Sequence, residues 1–177
     1  ESYENFVEFQ ILQGSAGIVP GGTTGESPTL EYFEHKKIID IAVKISKGRV
    51  PVIAGTGSNS TKEAIELTKY AENAKADAAL VVTPYYNKPT QEGLYQHYKA
   101  INDSCGIPII IYNIPGRCVI DMSVDTMSRL YELKNIIGVK DATGDLNRVD
   151  AHLKAMGKDF LMLTGNDENA HEFNKRG

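Results

Sequence analysis

With 177 residues, 41% of them hydrophobic and 24% charged, the chain has the length of one globular domain and is too apolar to be disordered throughout. A net charge of −4 argues against a general nucleic-acid or membrane-surface binder, yet allows a small anionic substrate that needs only a local cation. Cys105 and Cys118 make no disulfide framework and suit a reducing, cytoplasmic compartment; no apolar run reaches the ~20 residues of a membrane span. The acidic opening ESYENFVEFQ has no signal-peptide character, and without an initiator Met the chain reads as a fragment or a processed product.

The spacing predicts a helix over 2–13 with no strand before it, then a short apolar strand at Gly17–Pro20. A helix over 29–47 starts at Thr29, with Glu31 in its first turn and Ile38, Ile41, Ala42 and Ile45 on one face. Strand Val50–Ala54 precedes a helix over 61–74, where Ser60 and Glu63 have capping-box spacing. Strands at Ala78–Val82, Pro108–Tyr112, Ile136–Lys140 and Phe160–Thr164 alternate with helices over 90–104, 123–133 and 146–156. The six strand centres, Ile18, Val52, Leu80, Ile110, Ile137 and Met162, are 34, 28, 30, 27 and 25 residues apart. That is a βα repeat, so the class is α/β with parallel strands, near-continuously apolar because both faces are covered.

A doubly wound sheet and a (β/α)8 TIM barrel share this pattern. The barrel is favoured because Gly55-Thr-Gly57 lacks the third glycine of a dinucleotide fingerprint and because polar residues recur after nearly every strand. Residues 1–177 then form a single partial barrel domain, six strands where eight are needed.

Lys140 ends an apolar strand, and period-two alternation puts Ile136, Gly138 and Lys140 on one face. Burial lowers an amine's pKa and yields the neutral nucleophile of Schiff-base chemistry; Gly138 would leave room for a small ligand. Taken alone, a strand-end lysine that reaches solvent is the commoner case. Gly21-Gly-Thr-Thr-Gly-Glu-Ser27 is a glycine-rich turn whose N–H groups suit an anion, with Thr23 and Thr24 adding hydroxyls; a plain βα turn explains it as well. Tyr85 and Tyr86 sit in a stiff loop between prolines, and Tyr112 and Arg117 follow the next strand, the arginine able to grip a carboxylate. Each signal is weak alone, but together they place Thr, Tyr, Arg and Lys at the carboxyl ends of four strands. The histidines at 35, 97, 152 and 171 form no metal pattern, so no metal is expected.

The motifs Gly22-Thr-Thr-Gly-Glu-Ser27, Pro84-Tyr-Tyr-Asn-Lys-Pro89, Tyr112-Asn-Ile-Pro-Gly-Arg117 and Val139-Lys-Asp-Ala-Thr-Gly144 together resemble the dihydrodipicolinate synthase family of Schiff-base aldolases. The resemblance implies a (β/α)8 barrel in which Lys140 forms an imine with pyruvate and the enamine attacks L-aspartate 4-semialdehyde, in lysine biosynthesis by the diaminopimelate route. It implies a proton relay of Thr23, Tyr112 and Tyr86, substrate contacts from Thr24, Arg117 and Gly165, and no metal or organic cofactor. It further implies a homotetramer of tight dimers, with the Tyr85 loop at the dimer contact, and an inhibitory L-lysine site at Ser27, His35, Asn59, Glu63 and Tyr85. Against the family pattern the first and eighth strands are missing, and Gly21, where a Val or Cys is expected, should loosen the strand end. The alternatives are another pyruvate-dependent aldolase, such as N-acetylneuraminate lyase, or an inactive truncated chain that only binds a ligand or partner subunit.

Overall fold

A computed structural model describes all of residues 1–177. Five parallel strands, β1 (Ile53–Gly55), β2 (Ala78–Val82), β3 (Ile109–Asn113), β4 (Ile136–Asp141) and β5 (Leu161–Thr164), lie side by side in chain order. Each crossover carries a helix, so the architecture is α/β. Every residue of β3 is buried, whereas Leu161 of the edge strand β5 is exposed, so the apolar runs follow burial on both faces. No helix is long and apolar enough to cross a membrane.

The expected strand Gly17–Pro20 is reduced to one bridge, Ile18 to Val52, extended only by Gly55 N–H donating to the Pro20 carbonyl at 2.8 Å. Pro20 has no amide to donate and Gly21 turns the backbone into the left-handed region at φ 71°, so pairing stops there. Gly21 thus cuts the pairing short, yet the turn it makes is closely packed. Any Cβ at Gly21 would stand 2.7 Å from His35 Nε2, which itself lies 2.7 Å from the Gly55 carbonyl. Glycine is what lets the turn close on His35.

The alternation expected for the lysine strand also fails at its start. Ile109 pairs with Ile136 but Ile110 pairs with Gly138, so β4 carries an extra residue. Ile136 and Val139 therefore pack on the helix face, while Ile137 packs with Leu80, Ile110 and Tyr112 on the other. Nor does Gly138 make room for a ligand: a Cβ there would lie 2.2 Å from the Leu161 carbonyl oxygen, so the glycine admits β5.

Helix α1 (Ser2–Leu12) leads into a 3-10 turn at Ser27–Thr29 and then α2 (Tyr32–Ser46), which starts later than the sequence suggests. Glu31 is its cap, forming a reciprocal capping box with Glu34. In α3 (Thr61–Asn73), α4 (Gln91–Asn102) and α6 (Val124–Tyr131) the caps are the side chains of Ser60, Thr90 and Ser123. Each such cap contributes about 1 kcal/mol. The box expected at Ser60 is only half formed, because Glu63 turns its carboxylate to the Ser58 hydroxyl. A short helix, α5 (Pro115–Cys118), went unread in the sequence, and α7 (Asn147–Met156) and α8 (Ala170–Arg176) complete the chain.

The main core lies between sheet and helices, around Ile39, Leu94, Tyr98, Ile111, Met127 and Phe160. Tyr98 satisfies its buried hydroxyl by donating to the Val81 carbonyl at 2.7 Å. Two histidines in this layer are less well served. His97 Nε2 and both ring nitrogens of His152 are buried without partners, and burial pushes each imidazole down to about 4.

Candidate active site

Tyr112 and Lys140 are the penultimate residues of β3 and β4 and direct register partners, so their side chains emerge side by side. The Lys140 ammonium lies over the Tyr112 ring, 4.6 Å from its centroid. No carboxylate is within salt-bridge distance of Lys140; burial holds its amine below the ordinary lysine value, and Asp167 partly opposes this. Gly165, in the turn after β5, donates its N–H to the Asp141 carbonyl at 2.7 Å, and a Cβ there would touch Lys140 Cε at 3.4 Å. The four-carbon arm thus runs between an aromatic face and a bare backbone, and its amine is half-desolvated. A lysine so placed has a larger neutral fraction near neutral pH than a solvated one.

Burial raises the Tyr112 phenol, and the Thr23 hydroxyl and Arg117 guanidinium pull it the other way. Thr23 belongs to the turn closed by Gly25 N–H to the Gly22 carbonyl and Glu26 N–H to the Thr23 carbonyl, at 3.1 and 3.0 Å. Those bonds consume two of the N–H groups that an anion would use. The amides of Thr23 and Thr24 donate to no other backbone group and stay available. The Thr24 side chain is exposed and lines neither cavity described next.

Two adjoining cavities share Thr23 and Ser27 in their walls. The smaller, of about 30 Å³, reaches Tyr112 and Gly55. The larger, of about 460 Å³, is lined by Ser27, His35, Glu63, Tyr85 and Arg117 among others. Lys140 lines neither and stands on the far side of Tyr112. Asn59 is also outside both walls: its carbonyl accepts from Asn87 Nδ2 at 2.8 Å, which pins the Tyr85–Asn87 loop. At the tip of that loop Tyr86 is 88% exposed at φ 68°, so within the chain its phenol is not brought to Tyr112.

The family model for the dihydrodipicolinate synthetase family matches residues 1–177, the whole chain. The chain belongs to that family. A 4-hydroxy-tetrahydrodipicolinate synthase of Pelagibacter ubique is 73% identical over all of the chain, which covers 60% of that relative. A chloride-inhibited dihydrodipicolinate synthase of Acinetobacter baumannii, solved with pyruvate, superposes with a TM-score of 0.97 at 53% identity, over 99% of this chain and 60% of that one. The enzyme of Cyanidioschyzon merolae, solved with lysine bound, superposes with a TM-score of 0.95 at 38% identity, over 99% and 60%. The chain therefore spans about 60% of the length of these relatives.

One feature of this member of the dihydrodipicolinate synthetase family escaped the sequence reading. Asn113, Asp121, Arg148 and Asp141 form a hydrogen-bonded chain, from strand end to strand end, behind Tyr112 and Lys140. Asp141 is only 4% exposed, and a buried carboxylate demands a cation or several donors. Its place after Lys140 and on the opposite face of the strand was the available signal.

Proposed function

We propose that this chain is the lysine-bearing part of a 4-hydroxy-tetrahydrodipicolinate synthase built on a (β/α)8 barrel. The observation that carries the reading is the half-buried Lys140 amine, unpaired with any acid and laid against the Tyr112 ring. The neutral amine attacks the ketone carbon of pyruvate, water leaves, and an iminium forms. Loss of a methyl proton gives the enamine, whose carbon attacks the aldehyde of L-aspartate 4-semialdehyde. The amino group of that adduct then closes a six-membered ring on the imine carbon and displaces Lys140. One water is released overall, and the iminium is itself the electron sink, so the reaction calls for no metal or organic cofactor.

In this reading Tyr112 carries protons to and from the carbinolamine and the new alkoxide, with Thr23 as its hydroxyl partner. The free amides of Thr23 and Thr24 receive the pyruvate carboxylate, and Gly165 leaves the imine uncrowded. Arg117, exposed in α5 and in no salt bridge, holds the semialdehyde carboxylate. Tyr86, presented to solvent at a strained loop tip, completes the relay across a subunit contact, in a homotetramer of tight dimers.

The larger cavity fits an inhibitory L-lysine: Glu63 offers a carboxylate to an ammonium, while Ser27, His35 and Tyr85 offer polar groups and Asn59 steadies the loop. The lysine-bound relative supports this reading.

Borohydride trapping with pyruvate, followed by peptide mass spectrometry, tests the proposal. A reduced pyruvate adduct on Lys140 is expected. A folded, native-length protein that yields none, or that cleaves sialic acid instead, would overturn it.

A further inference from the structure

The ends of β3 and β4 carry polar residues on both faces. Tyr112 and Lys140 take one face; Asn113 and Asp141, one residue on and again register partners, take the other. There Arg148, in the first turn of α7, donates from Nε to Asp141 at 3.0 Å, from Nη1 to Asp121 at 3.0 Å and from Nη2 to the Met122 carbonyl at 2.7 Å. Asn113 Nδ2 donates to the other oxygen of Asp121 at 2.7 Å, and Asn113 Oδ1 accepts from Met122 N–H at 3.1 Å. Asp141 is completed by the amide and hydroxyl of Thr143.

We propose that Arg148 and Asp141 are positioning residues for Lys140, tying the ends of β3 and β4 together from the helix face and so fixing the lysine against Tyr112. The inference rests on the imine reading above. The backbone ladder between these strands closes with Ala142 N–H to the Asn113 carbonyl at 2.9 Å. Past that bond, only side chains hold the two strand ends in register. A guanidinium suits this task because its rigid planar fork holds three separate acceptors in fixed directions, whereas a lysine gathers its donors on one mobile nitrogen. Burying such a pair gains little stability over an apolar replacement. A purpose in geometry is therefore a better account of it than a purpose in folding.

The groups that face Lys140 are Tyr112 from β3 and Asp167 after β5; the hydrogen-bonded chain and His152, one turn beyond Arg148, lie on the other face. Loosening the strand end should admit water to the amine without changing its charged neighbours.

The test compares the rate of borohydride-trapped pyruvate adduct against pH, with steady-state kinetics, in native-length Arg148→Met, Asp141→Asn, Arg148→Lys and the double variant. Arg148→Met and Asp141→Asn should each trap pyruvate about 10–100-fold more slowly, with kcat falling more than KM rises. Their pH profiles should move upward as the amine regains solvent. Arg148→Lys should fall between, and the double variant should be no slower than the slower single one, since the hydrogen-bonded chain acts as a unit. A loss of stability alone would move none of these profiles. If Arg148→Met does not fold, Arg148→Lys and Asp121→Asn, at the exposed edge of the hydrogen-bonded chain, carry the comparison. Folded variants that trap pyruvate at the native rate and with the native pH profile would overturn the inference alone. A native protein that forms no adduct would overturn the imine reading and this inference with it.

Discussion

Acid should destabilise this protein through two particular histidines. His97 and His152 are buried, and each is held near 4 where an exposed imidazole titrates near 6.5. The folded pKa is below the unfolded one, so the unfolded chain binds protons more readily as pH falls. The stability each neutral ring lends is complete above about 6.5 and is lost as pH falls towards 4. Between pH 7 and pH 5 the linkage relation gives a loss of about 2 kcal/mol per histidine. Two such losses are a large share of the 5–15 kcal/mol typical of a native protein. The assay is urea unfolding of the native-length protein at several pH values, beside His152→Leu. Leucine suits a site where both ring nitrogens lack partners and the ring stands edge-on to Phe160, 6.0 Å between centroids. The variant should keep most of its stability at pH 7 and lose about 2 kcal/mol less than the native protein on going to pH 5. Parallel stability curves for the two would show that His152 titrates normally and that its burial has been misread.

Gly138→Ala should cost 3 kcal/mol or roughly more, since its methyl would meet the Leu161 carbonyl and not a movable side chain. Urea titration reads the loss, and a near-neutral result would mean that β5 can shift freely. If Arg117 holds the semialdehyde as proposed, Arg117→Gln should raise the KM for that substrate by about 10–100-fold and slow pyruvate trapping at Lys140 far less, by way of Tyr112 alone. Equal damage to both steps would move Arg117 into the first half of the reaction.

The strand ends were legible in the sequence because short apolar runs followed by Thr, Tyr and Lys mark them locally. Most of what failed depends on a distant segment of the chain. The face of Ile136 could not be read from period two, since the extra residue in β4 exists only against Ile109 and Ile110. Gly138 looked like a gap and Gly21 like slack because the groups that crowd them, the Leu161 carbonyl and His35, arrive from 23 and 14 residues away. The first strand dwindled to a bridge for a local reason, Pro20 followed by a left-handed glycine, which the sequence displayed and the apolar run obscured. The hydrogen-bonded chain behind the lysine was the most hidden feature, for Asp121 and Arg148 are 27 residues apart and each alone resembles an ordinary surface charge.

The wall shared by the two cavities has a thermodynamic consequence. Thr23 and Ser27 belong to both linings, so if both spaces bind as proposed, a movement of that turn changes two binding free energies at once. Linkage makes the exchange symmetrical: whatever factor an occupant of the larger space imposes on affinity beside Tyr112 is returned to it in full by the occupant there.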